Sequence, residues 1–391
     1  MDERPDWYAV SGAQTLKLAS AVSYSEYVRR SANLSTPEFE DDKRQIELDV
    51  PRTGASICEH ILCIPLPEYG DDNDDGDVPS ELLAPHLPVL RNILLAYSVR
   101  NPRVGYVQGH ADVVCFLIGN INERRDEEEV FWVYASIIER VFPEDFFARI
   151  PKLHGFQVDN RLFKELVLRK LIPHTPALAQ VDLTLVTSLL SCKWWVSIWV
   201  GQLPVHVLRE VWDVMLGHDD GAILHLLLGL QFFQAAIDSM MVHMATEDWD
   251  SSYLYKIILQ ESQAIRSINP HEVLRNGHTM YGLNDEAIED MRSTLRLDPA
   301  IRRPELSDLV RLTRFTLLEL EQLHEEFAFL RFHTKAYERI KLRGLRQEFV
   351  ESLVSREFTT WPVDIYVRLF QLMNPDGYGN ISFSSLVKVI S

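Results

Sequence analysis

Apolar residues in this chain recur at helical spacing, and no stretch long enough to found a sheet alternates with a period of two. Helical side chains share a face every three to four residues, whereas strand side chains alternate, so the two patterns exclude each other. From Glu127 to Val141, the residues Val130, Phe131, Tyr134, Ile137, Ile138 and Val141 fall on one face, and Pro143 closes the run. Leu87 to Val99 repeats the pattern through Leu90, Ile93, Leu94 and Tyr97 and ends at Asn101-Pro102. Val205 to Leu216 and Ala222 to Ile237 read as a helix pair joined by the turn Gly217-His218-Asp219-Asp220-Gly221. The expected fold class is all-α. A chain of 391 residues is long enough to bury a large core and to divide into more than one domain.

The texture changes near Met244 to Asp250, from strongly apolar helices to polar residues and scattered prolines. This predicts a main helical domain over 4–242, a helical linker region over 243–306 and a smaller helical region over 307–391. Pro299 and Pro304 are expected to break the linker helices. Thr316-x-x-Glu319 forms a capping box ahead of Leu320, Leu323, Phe327 and Leu330. Inside the first domain, residues 68–78 include Gly70-Asp71-Asp72-Asn73-Asp74-Asp75-Gly76-Asp77, which reads as a solvated acidic loop.

Near the C-terminus, Asn374 to Ser385 aligns with an EF-hand calcium loop, with Gly379 at its sixth position and Ile381 at its eighth. Its ligands are poor. Asn374 stands at the first position, Tyr378 at the fifth and Ser385 at the twelfth, where a bidentate Glu belongs. Asp376 is the one carboxylate, and Ser382 adds only a hydroxyl. A degenerate hand packed against helices around Phe327 and Phe349 is expected, with no bound calcium.

Composition narrows function. Lys and Arg number 39 against 57 Asp and Glu, a net charge of -18, which repels phosphate backbones and anionic lipid and suits a protein partner with a basic face. Of the four cysteines, none forms a CxxC pair, consistent with reduced thiols; Cys58-Glu59-His60 with Cys63 lacks a second zinc-type pair. The most apolar run, Ala222 to Ile237, is interrupted by His225, Gln231 and Gln234, and reads as a buried helix rather than a bilayer span. The N-terminus lacks signal-peptide character, so a cytoplasmic protein is expected. Phosphate-loop, HExxH, GxSxG and kinase patterns are missing, and no nucleotide or other cofactor of its own is expected.

Two short patterns carry chemistry. Ile46-Glu47-Leu48-Asp49-Val50-Pro51-Arg52-Thr53 reads IxxDxxRT, and Gly105-Tyr106-Val107-Gln108-Gly109 reads GYxQG. Taken singly, an Arg three residues after an Asp is ordinarily a local salt bridge, and a Gln before Gly at a helix start is ordinarily a polar cap. The wider context changes that. Trp7 with Ser11-Gly12-Ala13, Leu94-Leu95-Ala96-Tyr97 with Arg100-Asn101-Pro102, Glu129-Val130-Phe131-Trp132, Lys193-Trp194-Trp195 through Gln202-Leu203-Pro204, and Val211-Trp212-Asp213 follow in order. Over roughly residues 4 to 240 this series resembles the TBC domain of GTPase-activating proteins for Rab GTPases, most of all members with a C-terminal EF-hand region.

The resemblance implies that Arg52 is an arginine finger and Gln108 a glutamine finger, inserted in trans into a GTP-bound Rab. The GTP and Mg²⁺ belong to that partner. Asp49 and Thr53 would hold the arginine-bearing turn, and Tyr106 would support the glutamine loop. The activity implied is GTPase activation, without independent enzymatic chemistry, at endomembranes reached through the partner. A second reading is a scaffold that binds a Rab or another trafficking protein without catalysis. Two departures from the family pattern stand out: His110-Ala111 replaces the usual Met-Asn after Gln-Gly, and the first helix, at Trp7, is short.

Overall fold

A computed structural model of the chain describes residues 5–63, 80–121, 126–143, 145–149, 152–175, 178, 181–243, 250–296, 299–324, 327, 368 and 383–391. Among the described residues every regular element is helical, as the apolar spacing predicts. The acidic segment 68–78 and the calcium-loop residues Asn374, Asp376 and Ser382 lie outside them; of that loop, Phe383 to Ser385 are described. Two compact units result. The first comprises Met1–Phe142 and Asp159–Met291, and the second Pro143–Val158 and Arg292–Ser391.

The first unit opens with α1 (Trp7–Val10), α2 (Ala13–Ala19), α3 (Tyr24–Ser31) and α4 (Pro37–Asp49). Their starts are set locally. The side chains of Asp6, Ser23 and Thr36 each accept a hydrogen bond from a first-turn amide, and Pro37 takes the first helical position, where no N–H is needed. Short as it is, α1 is anchored. Trp7 is buried, its indole N–H donates to Asp213 at 2.6 Å, and its ring packs on Phe116 and Trp212.

After α4 the backbone tightens into a 3₁₀ turn (Val50–Arg52), a short helix α5 (Gly54–Ser56) and a π-helical turn (Ile57–Leu62). There follow α6 (Ser80–Leu83), α7 (Leu87–Arg100), α8 (His110–Asn120) and α9 (Glu127–Ser136), which runs into a second π-helical turn (Ile137–Val141). Asp126 caps α9 by accepting from the amides of Glu128 and Glu129, and three glutamates in the first turn complement the helix dipole. Beyond that turn α9 is buried on all sides, Trp132, Val133 and Ala135 included, because α1, α2, α7 and α8 surround it. One apolar face was the expectation. The absence of any charge between Val130 and Ile138 is what permits burial all round.

Next come α10 (His154–Lys170), α11 (Leu183–Trp195), α12 (Val205–Gly217), α13 (Leu224–His243), α14 (Ser251–Ala264), α15 (Pro270–Tyr281) and α16 (Asp285–Arg296). Around α11 an aromatic core forms. Trp194 stacks on Trp199 at 4.7 Å, and Phe163 meets Trp195 edge-on at 5.3 Å. Residues 221–241 are long and apolar enough to cross a membrane by length and composition, and 78% of the most apolar window is buried inside the molecule. α14 and α15 pack on α13, and the first unit continues to Met291.

In the second unit, α17 (Pro299–Leu312) passes through Pro304, so this proline does not end the helix. Pro299 opens it, where its missing N–H costs nothing. Thr316 and Glu319 form the predicted capping box, the Glu319 carboxylate accepting from the Thr316 amide at 2.8 Å and the Glu319 amide donating to the Thr316 hydroxyl at 3.3 Å. Phe383, the first residue of α18 (Phe383–Ile390), meets Phe327 edge-on at 5.4 Å.

Candidate functional site

Arg52 closes the 3₁₀ turn that ends α4, and its side chain is exposed. The ordinary role for an Arg three residues after an Asp is not taken up. The Asp49 carboxylate instead accepts from the Tyr106 hydroxyl at 2.9 Å, and Arg52 makes no hydrogen bond or ion pair among the described residues. The neighbouring arginines behave otherwise: Arg44 pairs with Asp41, and Arg91 with Glu47 at 2.6 Å. Thr53, buried, closes the turn from within, its hydroxyl donating to the Val50 carbonyl at 2.7 Å and its amide to the same oxygen at 3.3 Å.

Gln108 sits in the loop between α7 and α8. Its ordinary role as a cap is also unfilled. The residue preceding α8 is Gly109, whose φ of 95° only glycine adopts freely, and no side chain caps the helix start. Gln108 is exposed and makes no hydrogen bond among the described residues.

What surrounds these two side chains is bonded together. Three residues before Arg52 and two before Gln108, Asp49 meets Tyr106. Four residues after each, the Ser56 hydroxyl donates to Asp112 at 2.5 Å. The arginine turn and the glutamine loop are therefore joined on both sides of the exposed pair. Burial raises the Asp112 carboxyl above its ordinary range, the nearby Asp49 charge adds to that, and Ser56 opposes it. Burial, then the bond to Asp49, raise the Tyr106 hydroxyl and keep it a donor at neutral pH.

Behind the loop, Asn101 donates from its side chain to the Tyr97 hydroxyl at 3.2 Å, and its carbonyl accepts from the Val104 and Gly105 amides. Arg100, the last residue of α7, lies buried in a two-pronged pair with Glu139 at 3.0 and 2.9 Å, above the Trp132 ring at 4.9 Å. Such a pair is costly to break from one side, by about 3–5 kcal/mol, and so fixes where the loop leaves its helix.

The nominated residues Arg52, Gln108, Asp49, Thr53 and Tyr106 thus share one region of the first unit. Ser56 and Asp112 also belong to it and carry no motif of their own, their equal spacing from Arg52 and Gln108 being the available signal; Asn101, from the Arg100-Asn101-Pro102 pattern, joins them. Among the described residues no group of three His, Cys, Asp or Glu side chains is placed to hold a metal ion, Cys58, His60 and Cys63 included.

Residues 77–237 match the family model of the Rab-GTPase-TBC domain, a span that contains Gln108 and begins after Arg52. TBC1 domain family member 2B of Xenopus tropicalis is 29% identical over 229 residues, 57% of this chain and 21% of that protein. Small G protein signaling modulator 3 of Homo sapiens is 27% identical, covering 57% and 26%. TBC1 domain family member 2A of Rattus norvegicus is 31% identical, covering 51% and 18%. The matched region thus spans about a quarter or less of each curated relative. Among solved structures, the Chlamydomonas flagellar RabGAP TBC domain aligns with a TM-score of 0.46 at 19% identity over 70% of this chain and 78% of that one. The Ypt/Rab-GAP domain of Gyp1p aligns with a TM-score of 0.43 at 15% identity, covering 66% and 89%. Through residues 77–237 the chain is thus similar to the Rab-GTPase-TBC domain family and to TBC1 family members.

Proposed function

We propose that this protein accelerates GTP hydrolysis by a Rab-type GTPase, supplying Arg52 and Gln108 in trans. The observation that carries the reading is a contrast. Both side chains are exposed and uncommitted among the described residues, while Asp49, Thr53, Ser56, Tyr106 and Asp112 around them are bonded to one another or to the local backbone. A surface Arg and Gln left free on a stiff mount are suited to enter another protein's site.

The chemistry matches the residue types. As the γ-phosphoryl group is transferred, charge on its oxygens must be neutralised, and a planar guanidinium does so with a fixed fork of donors. The attacking water must be held in line, and a carboxamide both accepts from the water and donates to phosphate. GTP and Mg²⁺ come with the GTPase. A partner in its GTP-bound state would also bring this protein to the endomembranes that the GTPase marks.

The test is hydrolysis of GTP across a panel of GTP-loaded Rabs, with and without the protein. Stimulation of one or more Rabs, abolished by Arg52→Ala, is expected. Nucleotide-dependent binding with no stimulation of any Rab would make the protein a scaffold and overturn the reading.

A further inference from the structure

The glutamine loop leaves α7 at Asn101 and re-enters helix at His110. Asn101 is tied to Tyr97 at one end, and Tyr106 to Asp49 in the middle. The other end is fixed by a residue foreign to the family pattern. His110 is fully buried, two positions beyond Gln108, and its Nδ1 lies 2.6 Å from the Tyr134 hydroxyl, itself fully buried on α9. Tyr134 meets the His110 ring edge-on at 5.7 Å and the Tyr97 ring at 4.8 Å. Both ends of the loop therefore run into one buried cluster, Tyr97, His110 and Tyr134.

We propose that His110 is a positioning residue for Gln108, locking the end of the glutamine loop to Tyr134 and so fixing how far the amide reaches; this rests on the reading of Gln108 as a finger. A neutral imidazole has one donor and one acceptor. The Nδ1 side of the ring is engaged by the Tyr134 hydroxyl. Methionine, the usual family residue here, makes no comparable bond to Tyr134. With Gly109 at φ 95° as a pivot, the loop end without that lock loses its side-chain tie to α9.

The ring stays neutral through the working range. Burial depresses it to about 3. The charged and titratable groups around it leave that outcome in place. They are Tyr134 on α9, Tyr97 on α7 with Arg100 and Glu139 acting on it, Asp42 of α4 acting on Tyr134, and Tyr106, Asp49 and Asp112 at the loop.

The experiment compares wild type, His110→Met, Tyr134→Phe and the double variant in two ways. One is single-turnover GTP hydrolysis on a responding Rab. The other is amide hydrogen exchange of residues 104–109 in the protein alone. The expected result is a fall in maximal rate of about tenfold in each single variant, with the half-saturating concentration unchanged and the double variant no worse. Exchange at 104–109 rises in all three, and the wild-type maximal rate stays level from roughly pH 8 to pH 6, where an ordinary histidine titrates. Tyr134→Phe keeps the ring volume, so the comparison survives if the Met variant folds poorly. Unchanged exchange at 104–109, or a rate step near pH 6.5 that His110→Met removes, would overturn the proposal. If no Rab responds, the exchange result still decides whether His110 locks the loop, while the finger reading fails separately.

Discussion

Tyr106 joins the two exposed side chains, because its hydroxyl is the donor that Asp49 would otherwise find in Arg52. Tyr106→Phe removes that donor and leaves a half-buried carboxylate free to turn back on Arg52. The expected outcome is a loss of about 1–2 kcal/mol in unfolding free energy, measured by chemical denaturation. A drop of about tenfold in stimulated hydrolysis accompanies it, because a misdirected finger loses orientation. At this scale the sequence was partly legible. Arg52, Gln108 and Thr53 stand in short local patterns, and the Thr53 bond to Val50 spans three residues. The partner of Asp49 is 57 residues away, and such pairings are set by how helices pack rather than by spacing along the chain. The bond of Asp112 to Ser56 and of His110 to Tyr134 were hidden for the same reason.

The element that carries Arg52 is fixed by an unusually close approach. The carbonyl of His60, in the π-helical turn after α5, lies against Gly119 of α8, where an added Cβ would sit 1.8 Å from that oxygen. Only glycine allows the two backbones this near, so Gly119→Ala must push α8 and the turn apart. The prediction is a destabilisation of about 1–3 kcal/mol or more in denaturant titration, together with reduced GTPase stimulation, since only Thr53 and the short α5 separate the displaced turn from Arg52. A substitution without effect on either would show that the approach does not matter. Helix existence was readable from apolar spacing, and the starts of α4 and α9 from Thr36-Pro37 and Asp126. The π-helical turns over 57–62 and 137–141 were not readable, because apolar spacing along the chain does not distinguish an i+5 bond from the i+4 bond of an α-helix. Likewise α17 continues through Pro304, where composition alone predicted a break.

For the molecule as a whole, the all-α class followed from periodicity. After residue 243 the helices bury one face, as α15 does through Val273, Leu274 and Gly277. The core also carries a pH dependence. His60 is depressed to about 4, by burial first and then by the charge of Arg209, and His110 to about 3 by burial. Below the ordinary histidine value the unfolded chain binds protons that the folded protein refuses. Stability is therefore full above about pH 6.5 and falls as pH drops, by about 1.4 kcal/mol per unit for each ring and on the order of 4 kcal/mol together by about pH 5. Melting curves at pH 7.5, 6 and 5 measure this, and His110→Met shows a shallower decline if the account is right. The presentation of Arg52 and Gln108 together to a GTPase is decided by single-turnover GTP hydrolysis on a responding Rab with wild type, Arg52→Ala and Gln108→Ala. Arg52→Ala is expected to lose about 10³-fold or more of the stimulation, and Gln108→Ala also to lose stimulation while still binding the GTP-loaded Rab. Full stimulation by either variant would contradict it.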